Sequence, residues 1–317
     1  MNYIKTFIFL LLITVIAGCR DEKFSSINHH QSFVASVSIL EPSVTFYNPL
    51  GEEIAVWNFN KAYTGAALIQ QDRILLYGHQ LDEADIYELS SGKKLQTIKT
   101  GIGTTNVYYE EKEKKIFIAN SERNSVTSYD DKGNKLNELE LRNYPMSMAS
   151  YNGKLYVVNY KDTLLSVVNM ENLKLEAEWP IAKSSNGVLI IPEENTIWIG
   201  GHGEGSRPNQ SIDVLDLQTG NLVDKIKVSM MPIGFSRNED VVYIVNHGAN
   251  ELYAMDLKGN TLWKTEVGAN PFSVAIIEDE VVVAGYDDHK LYFLKNGQIT
   301  KEIYTNKGPF QLLVREV

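Results

Sequence analysis

The sequence has a single cysteine, Cys19, which excludes both a disulfide within the chain and a thiolate metal cluster. Basic residues are in deficit: 30 Lys and Arg face 40 Asp and Glu, a formal net charge of −10. That balance excludes the usual electrostatic route to nucleic acid or anionic lipid headgroups. No Pro/Gly/Ser-rich stretch divides residues 32–317, so no linker separates two domains there. Long apolar runs are missing too, apart from residues 7–16. What is present, 44% hydrophobic and 22% charged residues over 317 positions, is enough for a sizeable core and fits neither a disordered chain nor a coiled coil.

The run at 7–16 is too short to cross a bilayer, which needs about 20 apolar residues, and suits the core of a signal peptide. It ends Ile16-Ala17-Gly18-Cys19 and is followed by Arg20-Asp21-Glu22-Lys23. This arrangement resembles a bacterial lipoprotein signal. An ordinary secretory peptide with a chance cysteine, or an uncleaved anchor, is the alternative. The resemblance implies cleavage before Cys19, a lipid on its sulfur, and an extracytoplasmic protein held to a membrane by its N-terminus, at an outer membrane or a Gram-positive surface. Two acyl chains suffice for stable attachment. Residues 1–18 are therefore expected to be a signal peptide and residues 19–31 a polar tether, with His29 and His30 as solvated tether residues.

From residue 32 the chain repeats. Short apolar runs close on Gly78, Asn120, Asn159, Gly201, Asn246 and Gly285, at intervals of 39 to 45 residues. A second run follows each, as at 126–130, 212–216 and 252–256, and an earlier member at 44–48 makes seven. Several second runs lead into an Asp and then a Gly, such as Asp130 and Gly133 or Asp256 and Gly259, the chemistry of a capped tight turn. A period near 40 built from short strands marks a β-propeller, and 32–317 shared among seven blades gives about 41 residues each. The segment beginning Pro309 is like those beginning Pro145, Pro232 and Pro271, and the first repeat lacks such a strand. The expected fold is all-β: a seven-bladed propeller over 32–317, closed by the C-terminal strand joining the first blade. Two separate sandwiches would not produce the constant period.

The segment 242–268, with Val242-Tyr243-Ile244-Val245-Asn246, resembles the YVTN-type propeller repeat, and its end at Trp263 is similar to a quinoprotein repeat. The resemblance implies the fold and leaves the function open, because such propellers host unrelated chemistries. The vicinal cysteines of quinoprotein dehydrogenases and the Gly-His…Trp-Asp signature of WD40 repeats are absent.

In a propeller, loops between second and third strands share one face with the blade-to-blade connections, around the channel mouth. His79, His202, His247 and His289 all fall on such loops. Neutral imidazoles there can bind a ligand, hold a metal or act as bases, while polar loops also collect histidine without function. The loop 201–210, with Glu204 and Arg207, exceeds its equivalents and is a candidate lid. Blade-start residues Tyr63, Asn143, Tyr144, Asn186, Met231 and Asn270 are expected to ring the same mouth. Asp82-Glu83-Asp85 and Asp287-Asp288 miss EF-hand spacing and read as solvated turns. Residues 110–115 read as a solvent-facing hairpin tip on the opposite face. The candidate ligand-binding set is thus His79, Tyr144, Asn186, His202, Glu204, Arg207, His247, Asn270 and His289, with no catalytic residue, metal or cofactor assigned. The expected role is a lipid-anchored binding or scaffold module for an envelope protein or a small polar ligand. A lactonase-like hydrolase or lyase at the channel mouth is the alternative.

Overall fold

The apolar runs become the second strands of seven four-stranded antiparallel sheets, for example Arg73–Tyr77, Lys115–Asn120 and Val241–Asn246. Each lies inside its sheet with both faces packed, which is why the sequence there is continuously apolar rather than alternating. Outer strands such as Lys135–Glu140 are charged and exposed. In all seven blades the pairing of third and outer strands slips at one corresponding place. Such a bulge twists a free edge away from pairing with another chain. The computed structural model describes residues 23–317; the expected signal peptide and Cys19 lie outside the described residues.

The ring closes as expected. Blade 1 combines Phe33–Ser38, Ser43–Tyr47 and Glu53–Asn58 with Pro309–Arg315 as its innermost strand, Val34 opposite Val314 and Ala35 opposite Leu313. Its counterparts around the channel are Gly65–Ile69, Thr104–Glu110, Pro145–Tyr151, Ser185–Ile191, Pro232–Arg237 and Pro271–Ile277, the first strands of blades 2 to 7. The core lies between neighbouring blades: Ile69, Leu75 and Ile86 of blade 2 pack with Val107, Ile116 and Ile118 of blade 3. The capped turns form as read. Asp130 Oδ1 accepts the N–H groups of Lys132 and Asn134, and Gly133 takes φ +75°.

The polar stretch 19–31 departs from the expected tether. From Phe24 onward it is part of the propeller wall. Phe24 stacks on Trp57 with ring centroids 5.0 Å apart, and Ile27 has no exposed surface. The N–H groups of Phe24 and Ile27 donate to Gly92 and Leu89, and Trp57 Nε1 donates to the Ser25 carbonyl. Two large apolar side chains, Ile27 fully buried and worth about 1.5–3 kcal/mol and Phe24 partly buried, decide the fate of an otherwise polar run. Arg315, 2% exposed, then ties this segment to the closing strand. Its guanidinium donates to the carbonyls of Asn28, Gln31 and Gln71 and lies over the Phe33 ring.

The acidic group at 82–85 is not a solvated turn throughout. Asp85 is fully buried and accepts hydrogen bonds from Lys61, Thr97 and Tyr63. Burial pushes its carboxyl pKa up, but these bonds together outweigh burial and hold it below the ordinary value. Tyr63, expected at the mouth, is therefore inside the wall. Asp288 is likewise engaged, accepting from Tyr292 Oη and the Ala269 N–H. Lys115, expected at a solvent-facing tip, reaches the carbonyls of Met170 and Glu171 on the next blade. Buried charges persist where partners meet them, and these partners come from segments that spacing along the chain does not reveal.

Candidate binding site at the channel mouth

One hydrogen bond, repeated on six blades, positions the mouth. The residues before the first strands, Gly103, Tyr144, Ser184, Met231, Asn270 and Gly308, all have positive φ. Their carbonyls accept the N–H groups of Ser121, Tyr160, His202, His247, Tyr286 and Ile39, each the first residue past a second strand, at 2.8–3.3 Å. On blade 2 that place belongs to Gly78, with His79 next. The left-handed conformation costs a non-glycine residue about 1–2 kcal/mol, so Tyr144 (φ +66°) and Met231 (φ +59°) are held there by their surroundings.

The rings on these loops touch in succession. His79 lies 6.3 Å from Tyr144, nearly parallel to it; Tyr144 is 5.9 Å from Tyr160 and Tyr160 is 5.9 Å from His202. His202 is 5.7 Å from His247, and His247 is 4.3 Å from Phe272. Phe272 then contacts Phe310 at 4.8 Å and Tyr286 at 5.4 Å. Phe272 and Phe310 are the second residues of their first strands, so the arc runs into the channel wall. There it meets a well of about 170 Å³, lined also by Tyr77, Thr105, Asn106, Ser147, Asn186, Ser273 and Gln311. Among the described residues no charged side chain lines it.

The two central imidazoles are neutral at pH 7. Burial first, and His247 second, hold His202 below the ordinary histidine value of 6.5. Burial also lowers His247, against weaker opposing pulls from the Pro271 carbonyl and Asp287. His247 Nδ1 sits 3.3 Å from the Pro271 carbonyl, to which it donates, leaving Nε2 as an acceptor. His202 Nδ1 is buried without a partner among the described residues. His79 Nε2 lies 3.1 Å from Ser121 Oγ, and the Gln80 amide nitrogen is 3.1 Å from Nδ1. With Gln80 donating to Nδ1, the ring proton sits on Nε2 and is donated to Ser121, whose own hydroxyl donates to the Gly103 carbonyl. A general base must accept from its nucleophile, and here the bond runs the other way. Among the described residues no three His, Cys, Asp or Glu side chains form a group that could hold a metal ion.

Of the nine candidates, the structure brings His79, Tyr144, His202 and His247 into the arc and places Asn186 in the well. Glu204 and Arg207 sit on a small hairpin, Gly203–Glu204 against Arg207–Pro208. Glu204 pairs with Lys183 at 2.7 Å, beside a separate cavity of about 320 Å³. Asn270 forms a turn (φ +60°), its N–H donating to Asn250 Oδ1. His289 has Nδ1 2.9 Å from the Tyr286 carbonyl, bracing its own loop, and makes no ring contact with the arc. Tyr160, Tyr286, Phe272 and Phe310 were not singled out from sequence. The signal for them is positional: Asn159-Tyr160 and Gly285-Tyr286 align with Gly201-His202 and Asn246-His247, while Phe272 and Phe310 each follow a blade-start proline. A larger cavity, about 510 Å³, lies on the opposite face beside Glu110, Lys112, Glu113 and Tyr151. Some of its polar groups are already paired, Ser150 with Tyr108 and Glu110, and Glu113 with Lys115.

No family model matches the sequence, nor does any curated protein. Solved structures do. A functionally unknown protein from Desulfotomaculum acetoxidans superposes with a TM-score of 0.76 at 11% identity, over 90% of this chain and 99% of that one. AztD from Citrobacter koseri gives 0.62 at 13%, over 90% and 97%. Virginiamycin B lyase from Staphylococcus aureus gives 0.64 at 14%, over 78% and 87%. The likeness is one of fold. At such identities it carries no residue roles, since propellers host binding proteins and enzymes alike.

Proposed function

We propose that this chain is a binding module of the cell envelope, held by a lipid on Cys19, which takes a small ligand at the ring-lined mouth of its propeller. The observation that carries the reading is the unbroken run of rings from His79 to Phe310 over an uncharged well. Half-buried rings with amides and hydroxyls beneath them match the usual make-up of a small-molecule site, mostly apolar with a few placed polar groups. The envelope location rests on the Ile16-Ala17-Gly18-Cys19 sequence alone.

Two experiments test it. Small-molecule fragments are screened by thermal shift on the wild type and on a His247→Ala, Phe272→Ala variant; if no compound's shift depends on these rings, the mouth reading is sunk. Radiolabelled palmitate should enter the wild type and not Cys19→Ser. The hydrolase or lyase alternative has one observation in its favour, the contact between His79 and Ser121, and the direction of that hydrogen bond weighs against it.

A further inference from the structure

Resting on the mouth reading above, we propose that the ligand is an uncharged planar ring bearing a carbonyl or amide oxygen, seated against Phe272 and Phe310 with that oxygen received by Asn186. Size comes first. A well of about 170 Å³ takes one six-membered ring, since cavities of roughly 150 Å³ bind benzene. Charge comes second. The chain is 22% charged, yet no charged side chain lines the well, and His202 and His247 beside it are held neutral by burial. A carboxylate or ammonium entering it would lose its hydration without meeting an ionic partner.

Shape and hydrogen bonding narrow the class further. Phe272 and Phe310, their centroids 4.8 Å apart and planes inclined at 46°, offer a flat molecule both a face and an edge. The acceptors of the well are engaged: Asn186 Oδ1 receives Ser147 Oγ, and Gln311 Oε1 receives the Ala66 N–H. The Gln311 amide nitrogen and Thr105 Oγ1 are engaged as donors, to the Ala66 and Pro145 carbonyls. The NH₂ groups of Asn186 and Asn106 and the Ser273 hydroxyl remain as donors without a protein acceptor among the described residues, so the complementary ligand group is an acceptor oxygen, which we place at Asn186.

Benzamide, benzoate and cyclohexanecarboxamide separate these requirements on the full chain at neutral pH, with binding read by ligand-observed NMR. Benzamide is expected to bind, and the other two at least about tenfold more weakly (about 1.4 kcal/mol), because benzoate brings an unpaired charge and cyclohexanecarboxamide lacks the flat ring. Asn186→Asp keeps the shape and replaces the donor with a carboxylate, so benzamide affinity should fall by a similar factor; Phe272→Ala should do the same, and thermal melts confirm that each variant is folded. Benzoate binding as well as benzamide, and lost in Phe272→Ala, overturns the uncharged class while leaving the mouth reading in place. Cyclohexanecarboxamide matching benzamide overturns the planar requirement. Benzamide binding that ignores both substitutions places it elsewhere and overturns the proposal. If none of the three binds, the proposed ligand class is overturned, while the mouth reading is judged separately by the fragment screen.

Discussion

Blades 1 to 3 and blades 4 to 7 share one backbone and put their aromatic residues to opposite uses. Just past the second strand, the first group carries Ile39, Gly78 and Ser121; the second carries Tyr160, His202, His247 and Tyr286. Around blades 1 and 2 the rings lie inside the wall instead, where Phe24, Phe46, Trp57, Phe59 and Tyr87 pack edge and face against one another. That half is where the two chain ends meet, and it needs extra contact to hold a closure that no covalent connection supplies. The other half is sealed by continuous chain and has no such need, so its half-buried rings, joined by His79 and Phe310 from the first group, are free to serve a ligand.

The comparison breaks first, and hardest, at the seam. Deleting residues 309–317 removes the innermost strand of blade 1 and exposes apolar faces on blades 7 and 2. Loss of cooperative thermal unfolding is the expected result, and an unchanged melt would show that closure is dispensable. Arg315→Ala removes a buried guanidinium together with its bonds to three carbonyls and its packing on Phe33, and should cost about 3 kcal/mol in urea unfolding. Arg315→Lys should recover only part of that, because an ammonium cannot reproduce the planar fork. Phe24→Ala should cost about 2 kcal/mol if the segment before blade 1 belongs to the wall; a cost near zero would return it to a tether.

Smaller effects sharpen the mouth half. His202 and His247 have pKa values lowered by burial, so the unfolded chain takes up protons before the folded one does. Their contribution to stability is present above about pH 6.5 and is lost as pH falls through the lowered folded values. Replacing both with alanine should flatten that part of the stability profile; a slope that persists would assign it to other groups. Ser121→Ala, which removes a buried hydroxyl bonded to His79 and Gly103, should be the smallest change, about 1 kcal/mol and without effect on ligand binding. Loss of a measurable turnover in that variant would instead support a catalytic role.

Much of the ring was readable in advance because its determinants are local and repeated. Interior second strands need apolar residues on both faces, turns need Asp and Gly, and a 40-residue period follows from one sheet per repeat. The orphan strand at Pro309 was legible for the same reason, as a copy without its neighbours. Phe24 and Ile27 were not, because two apolar residues in a polar run have no period to betray them. Asp85 was misread because its partners Lys61 and Tyr63 precede it on a blade connection, outside its own strand pattern. At the mouth, His79, Tyr144, His202 and His247 stood out by residue type. Tyr160, Tyr286, Phe272 and Phe310 required the register between blades.

The sequence by itself determined the repeat, its number and the way the ends join, since hydrophobic pattern and turn chemistry act over a few neighbouring residues. Only the tertiary structure decided which side chains share the mouth, which acidic group is buried, and where the N-terminal segment rests. Those outcomes depend on how the blades and their connections pack together, which joins residues from 12 to 287 positions apart and leaves no mark on either stretch of chain alone.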